Sequence, residues 1–369
     1  MRILDIAQQR LLNQRLTGSR FKSPEDAVKW FGAVQSQDYP GAKWALGQRT
    51  RGATDAGVDV AFARGTILRT HVMRPTWHFV TPTDIRWMLA LTAPRVNAAM
   101  AYYYRQAEID DALVARSKAV FTKALRGGKQ LTRTELGKEL QRAGISANGV
   151  RLGFLVARAE LDALVCSGAL KGKQHTYALL EERVPEVKPL SRDEALTELI
   201  RRYFTSHGPA QPLDFVWWSG LTMADTKRGI ELAKSELAQE AIAGKTYWFN
   251  PSMTVARPVP GTRIHLLPNY DEYFIAYKDR SAVSDAALFK QSSDVIRYLY
   301  GYIVIMKGRV IGGWKRTIDK NGVVLEVRLP LALDEIAREA LKAASERFGA
   351  YVGKPVELAI LPTRRGGVG

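Results

Sequence analysis

The spacing of apolar residues predicts helices first and a hairpin after them. Leu4, Ala7, Leu11, Leu12 and Leu16 recur at helical intervals, with Gln8, Gln9, Arg10, Asn13 and Gln14 opposite. Ser23-Pro24-Glu25-Asp26 opens a second helix, with a serine cap, proline in the first turn and acids at the positive end of the dipole. Its apolar face carries Ala27, Trp30, Phe31 and Val34. A short third helix is expected over 55–63. The period then falls to two, so 67–72 and 76–80 read as paired strands turning near Arg74-Pro75.

Three helices and a hairpin make the order of a winged helix, and the order recurs. A helix is expected over 112–125. Thr132-Arg133-Thr134-Glu135 is a capping box opening the next, a third helix fits 149–165, and 170–177 fits a wing. Pro185 and Pro189 punctuate a linker. The third unit runs through helices at 195–204 and 213–218, then a helix capped by Thr222 with Asp225 three positions on, with a wing at 245–249. From Arg263 the character changes: β-type segments at 264–267, 274–277, 302–306, 309–314 and 323–329, a helix at 334–348 and a last strand at 356–361. Thr363-Arg364-Arg365 begins a loose tail. The expected class is α+β: winged helices over 1–82, 83–184 (with a preceding helix) and 185–260, then a β-rich, barrel-like α+β module over 261–369.

Candidate chemistry gathers in the first unit. Residues two apart share a side only in an extended segment, so Gln35 and Gln37 converge if the helix ends near Val34. Tyr39-Pro40-Gly41 supports such an end. Two convergent neutral amides can hold a water and stabilise positive charge, whereas the plainer reading is a polar helix end meeting solvent. In the hairpin, Arg69, His71 and Met73 share one face and Thr70, Val72 and Arg74 the other. A wing bearing Arg69, Arg74, His71 and His78 beside the glutamines would reach a sugar–phosphate backbone. The alternative is a small sheet with Trp77 and Phe79 in its core. Histidines at 71, 78, 175, 207 and 265, with one cysteine, form no metal-ligand set, and Gly127-Gly128-Lys129 lacks phosphate-loop spacing. Trp217-Trp218 reads as core, and Asp271-Glu272 as loop carboxylates with structural hydrogen bonds.

Composition adds a partner. The 369 residues carry 54 Lys+Arg against 37 Asp+Glu, a net charge of +17, with 46% hydrophobic residues. Ordinary hydrophobicity excludes intrinsic disorder, and the lone Cys166 excludes an internal disulfide framework and fits a reducing compartment. The longest apolar run, 302–306, is too short to span a bilayer, and the start lacks a signal-peptide apolar region. A soluble, cytoplasmic protein is expected. The surplus charge asks for an anionic partner, with nucleic acid first. The bases form no block, so a generally basic proteome explains the charge equally well.

Gln35-Ser36-Gln37-Asp38, the stretch 68–80, His207-Gly208-Pro209 with Trp217-Trp218-Ser219-Gly220-Leu221, 266–280 and 308–316 together resemble the AlkZ/YcaQ-type DNA glycosylases, a tandem winged-helix superfamily. The resemblance spans nearly the whole chain in the right order. It implies three winged helices arranged as a C around duplex DNA, closed by the C-terminal module. The implied activity is hydrolysis of the N-glycosidic bond of alkylated purines of the N7-alkylguanine type, including guanines in interstrand crosslinks. The family's signature of two glutamines around one residue falls on Gln35 and Gln37 as catalytic residues. Ser36 stands where the family pattern has an apolar residue. Asp38 and His71 are secondary candidates for catalytic support, and Arg69, Arg74, Trp77, His78 and Lys43 are the candidate DNA contacts. No cofactor and no metal are expected. The expected partner is double-stranded DNA carrying alkylated bases, bound by a monomer associated with the nucleoid. A second reading stays open: a non-catalytic winged-helix DNA-binding protein such as a transcriptional regulator.

Overall fold

In the computed structural model, residues 6–255, 263–284, 301–330 and 332–362 are described. Leu4 and the tail from Thr363 lie outside them. The first unit comprises α1 (Ile6–Asn13), α2 (Pro24–Phe31), β1 (Val34–Gln35), α3 (Tyr39–Arg49), α4 (Asp55–Arg64), β2 (Leu68–His71) and β3 (Trp77–Val80). Its antiparallel sheet has the order β1-β3-β2. Helix α2 starts on the expected serine cap, which proves to be a capping box in which Ser23 and Asp26 bond each other's backbone N–H, and stops at Gly32 with φ 82°.

Helix α3 departs from expectation. Tyr39-Pro40-Gly41, read as a stop, is its first turn: Asp38 is the N-cap, and proline is tolerated where no intrahelical N–H bond is needed. No apolar stripe announces this helix, because every residue of it except Pro40 is buried. Its polar side chains are satisfied internally instead.

Helix α5 (Ile85–Gln106) carries Pro94 in its interior and leads to the second unit: α6 (Asp111–Leu125), β4 (Leu131–Thr132), α7 (Arg133–Arg142), α8 (Gly149–Leu161), β5 (Val165–Ser167) and β6 (Thr176–Leu179). The order β4-β6-β5 repeats that of the first sheet. The Thr132–Glu135 box is present. The third helix ends earlier than expected, at Leu161, and the hairpin strands flank 168–175 rather than filling it.

After the short α9 (Leu180–Arg183) come α10 (Arg192–Ser206), α11 (Pro212–Ser219), α12 (Met223–Leu232), β7 (Ala238–Ile242) and β8 (Lys245–Phe249). Ala210 bridges Trp248 in β8, standing where β1 and β4 stand in the other two sheets. The element order thus occurs three times.

The C-terminal region is a five-stranded sheet, β13-β12-β11-β10-β9, formed by β9 (Ile264–Leu267), β10 (Tyr302–Met306), β11 (Arg309–Ile318), β12 (Val323–Leu329) and β13 (Val356–Pro362). It is antiparallel except for β12 with β13. Helix α14 (Glu335–Val352) precedes β13. The strand expected over 274–277 is instead α13 (Glu272–Ile275), because the Asp271 carboxylate accepts the Tyr273 N–H at 2.9 Å and turns the chain.

Helix α3 locks the first unit onto this sheet. Trp44 Nε1 donates to the Leu266 carbonyl at 2.7 Å, and its ring meets Phe348 of α14 edge-on at 5.0 Å. One hydrophobic core therefore runs from α2, α3 and α4 into β9–β12 and α14. A second joins the tip of the first hairpin to α5, α10 and α11. The segment between α2 and α3 is fixed from both sides.

Candidate active site

That segment is extended, so Gln35 and Gln37 lie on one side of it. Val34 and Gln35 pair with Phe79 and His78 of β3, and the Ser36 N–H donates to the Trp77 carbonyl at 2.8 Å. Gln35 is buried and Gln37 exposed. Both amide carbonyls engage the hairpin tip: Arg74 Nη2 donates to Gln35 Oε1 at 2.7 Å, and the Trp77 N–H to Gln37 Oε1 at 3.4 Å. Ser36 points into the protein, fully buried, and its carbonyl accepts from Arg69 Nε at 3.1 Å.

The tip itself is under constraint. Met73 has φ 65°, a conformation costly for a side-chain-bearing residue. Gly220 closes over it: a Cβ there would meet the Met73 carbonyl oxygen at 2.4 Å, and its own φ is 71°. Arg74 Nη1 also donates to the Trp217 carbonyl at 3.4 Å, so the tip is tied to the end of α11.

Trp77 lies between a guanidinium and an imidazole, with Arg69 4.3 Å from its centroid and the His71 ring 4.3 Å away. His71 Nδ1 is 2.5 Å from Glu160 of α8, and both are buried. Burial pushes Arg69 down to about 10. Burial, then the charge of Arg74, holds His78 at about 3, so that imidazole is neutral at pH 7. His78 Nδ1 meets the Thr76 carbonyl at 3.0 Å. Five buried polar atoms in these two segments have no protein partner among the described residues: Ser36 Oγ, Arg74 Nε, Thr76 Oγ1, Trp77 Nε1 and His78 Nε2. Buried polar groups are normally paired, so such a concentration marks a place arranged for something other than stability.

Behind Gln35 sits Glu272, 1% exposed. Its Oε1 accepts the Gln35 backbone N–H at 2.7 Å, and its Oε2 accepts Trp218 Nε1 at 2.9 Å and faces His207 Nε2 at 3.2 Å. Burial opposes its ionisation, but the His207 bond and charge and the Gln35 N–H hold it below the ordinary carboxylate range. Burial in turn lowers His207, which stacks on Tyr203 at 4.7 Å. Its neighbour Asp271 makes a two-pronged ion pair with Arg49 at 2.7 and 2.8 Å. Spacing along the chain gives no hint that Glu272 supports Gln35.

Other candidates sit apart from the glutamine amides. The Asp38 carboxylate caps α3 and accepts the Tyr302 hydroxyl. Lys43 is buried between Asp55 and Asp59, at 2.9 and 2.7 Å, so its charge is spent inside the protein and is not offered to phosphate. The adjacent tryptophans divide: Trp218 is wholly buried, while Trp217 is partly exposed beside Lys278, 4.9 Å from its ring. Among the described residues no cluster of His, Cys, Asp and Glu could hold a metal, and no helix is long and apolar enough to cross a membrane.

Comparison with known proteins gives the chain a family. Residues 28–351 match the family model described as DNA glycosylase AlkZ-like. An interstrand DNA cross-link repair glycosylase of Streptomyces sahachiroi is 24% identical over 385 aligned positions, covering 96% of each chain. The solved structure of Streptomyces sahachiroi DNA glycosylase AlkZ superposes with a TM-score of 0.76 at 21% identity, covering 97% of this chain and 98% of that one. This chain belongs to the AlkZ-like family of DNA glycosylases, hydrolases acting on N-glycosyl bonds.

Proposed function

We propose that this protein removes N7-alkylguanine-type bases from duplex DNA by hydrolysing the N-glycosidic bond, including guanines held in interstrand crosslinks. The observation that carries the reading is the pair Gln35 and Gln37, both carbonyls held by one hairpin tip and the first backed by buried Glu272. Alkylation at the ring nitrogen makes the base cationic, so it departs as a neutral group without a general acid. Cleavage then passes through an oxocarbenium-like sugar. What remains for the protein is to place a water and to aim dipoles at developing charge. Gln37, exposed to the substrate side, holds the water, and the Gln35 carbonyl supports the cation. Neutral amides suffice for both tasks. Asp38 and His71 act at one remove, through the start of α3 and the stacking of Trp77.

The three repeats of helices and hairpin are read as winged helices over 1–82, 83–184 and 185–260, forming a C that grips the duplex, with 261–369 closing it. Arg74 and Trp77, both half-buried, form the surface nearest the damaged base; Arg69 and His78 are buried behind it and, like Lys43, drop out of the set of DNA contacts. A crosslinked base cannot be extruded freely, so attack comes from the groove, in keeping with the exposure of Gln37. The protein acts as a monomer.

Incubation with a duplex carrying N7-methylguanine, followed by alkaline treatment, is expected to give strand scission at the lesion, and a crosslinked duplex is expected to be unhooked. No scission above that of Gln37→Ala would leave only a DNA-binding protein. Because no lysine among the described residues bonds to either glutamine, borohydride should trap no protein–DNA adduct; a trapped adduct would contradict simple hydrolysis.

A further inference from the structure

A second polar recess lies at the far end of α3, about 16 Å along its axis from the glutamines at 1.5 Å per residue. It is a cleft of about 240 Å³, lined in part by Arg20, Gln48, Thr50, Thr54, His265 and Arg347. Three groups in its lining are buried yet without a hydrogen-bonding partner among the described residues. These are His265 Nε2, Thr50 Oγ1 and Tyr351 Oη, on residues 7%, 2% and 4% exposed. A buried hydroxyl or imidazole left unpaired is destabilising, so folding alone does not explain the three.

The charge of the recess is one-sided. Arg20 and Arg347 are exposed and, among the described residues, no carboxylate lies within ion-pair distance of either. Among the described residues Arg347 donates only to the Ile264 carbonyl, at 2.8 Å. Partial desolvation of its guanidinium lowers Arg347 although the side chain is exposed, and the like charges of Arg20 and Arg263 lower it further. His265 is held at about 3 by burial and by Arg347, Arg49, Arg20 and Arg263, with no acid opposing them. Asp55 and Asp59, which both act on Tyr351 of the same lining, are engaged by Lys43. The wall includes the turn Gly52-Ala53-Thr54 leading into α4, whose positive end adds to the field. Gly52 has φ 64° with open space where its Cβ would stand, so a ligand can approach the backbone there.

Crowded guanidiniums, unpaired hydroxyls and an unpaired neutral imidazole share one complement: a compact anion with several acceptor oxygens. We propose that this recess binds a phosphate-type oxyanion, clamped by Arg20 and Arg347 and hydrogen-bonded by Thr50 and His265. The oxyanion is either a backbone phosphate of a duplex remote from the bond being cut or free phosphate. The site itself is independent of the glycosylase reading; only the first of these sources rests on DNA binding.

The test follows the imidazole signals of the full chain by nuclear magnetic resonance, with the His265 signal identified by its loss in His265→Asn. Inorganic phosphate or a short undamaged duplex is titrated in. Movement of the His265 signal with inorganic phosphate supports the site and makes free phosphate a ligand. Movement with the duplex alone supports it and makes the ligand a DNA phosphate. In that event Arg347→Ala lowers the slope of log affinity against log salt by about 1. Thr50→Val keeps shape and charge, so it separates a built site from general attraction. It is expected to weaken the effective ligand about tenfold, in line with one lost hydrogen bond, while leaving thermal stability equal or higher. A His265 signal unmoved by either ligand, or moved equally in the wild type and Thr50→Val, overturns the proposal.

Discussion

Gln35 and Gln37 stand in unlike surroundings, and each substitution should report its own. Gln37 is exposed and holds only a long bond from Trp77, so Gln37→Ala is expected to keep stability within about 0.5 kcal/mol while slowing base release about 100- to 1000-fold. Chemical denaturation and single-turnover cleavage measured side by side check both halves. Glu272→Ala should behave in the opposite way. It strips the acceptor from Gln35 N–H, Trp218 Nε1 and His207 Nε2 in a dry interior, at a cost of about 3 kcal/mol, measurable by urea unfolding. Stability should also depend on two buried imidazoles. His78 and His265 are lowered from 6.5 to about 3 in the folded chain. The unfolded chain therefore binds their protons first, and stability is full above pH 6.5 and declines as pH falls toward 3. Each imidazole contributes about 1.4 kcal/mol per pH unit within that window. Urea unfolding at a series of pH values should show this, and His265→Asn should remove one proton from the slope.

At the scale of elements, the hairpin tip and its Gly220 lid set the geometry of the site. Gly220→Ala forces a Cβ against the Met73 carbonyl at a residue with φ 71°, so the tip and Arg74 must move away from Gln35. Base release should fall at least tenfold for a stability loss of about 1–2 kcal/mol. A loss of stability with an unchanged rate per folded molecule would detach the tip from the chemistry. The elements also show what was readable in advance. The capping boxes at Ser23, Thr132 and Thr222 each announce a helix that forms, because capping is local chemistry written within four residues. Helix α3 was hidden for the converse reason. Periodicity detects a helix with one wet face, and this one has none, while its Pro-Gly pair reads as a break. In 274–277 the apolar and aromatic residues suggest a strand, and the Asp271 cap makes a turn of helix. Spacing offered the extended placement of the two glutamines only on condition that the helix end near Val34; it ends at Gly32, and the Pro-Gly pair read as its stop opens α3 instead. Their support was not legible: Glu272 is 237 residues from Gln35, and only folding brings the carboxylate behind it.

Across the whole molecule, net charge and reaction chemistry belong to different residues. The charge of +17 suits an anionic partner, yet Arg69 is buried, Lys43 is neutralised, and the two proposed catalytic side chains carry no charge. Affinity for duplex should therefore fall linearly in log–log plots against salt as counterions are released. The single-turnover rate at saturating protein should stay constant over the same range. A rate that followed affinity would place the chemistry on the charged residues instead. Shared cores join the first unit to the C-terminal sheet and its hairpin to α5, α10 and α11. The most direct test of the central claim is the single-turnover release of N7-methylguanine from duplex DNA by the wild type, Gln35→Ala, Gln37→Ala and the double variant, with duplex affinity measured on the same samples. The account predicts release by the wild type, a loss of about 100-fold or more in each single variant, a double variant little worse than either single one, and equal affinities throughout. Release by the double variant at the wild-type rate would contradict it.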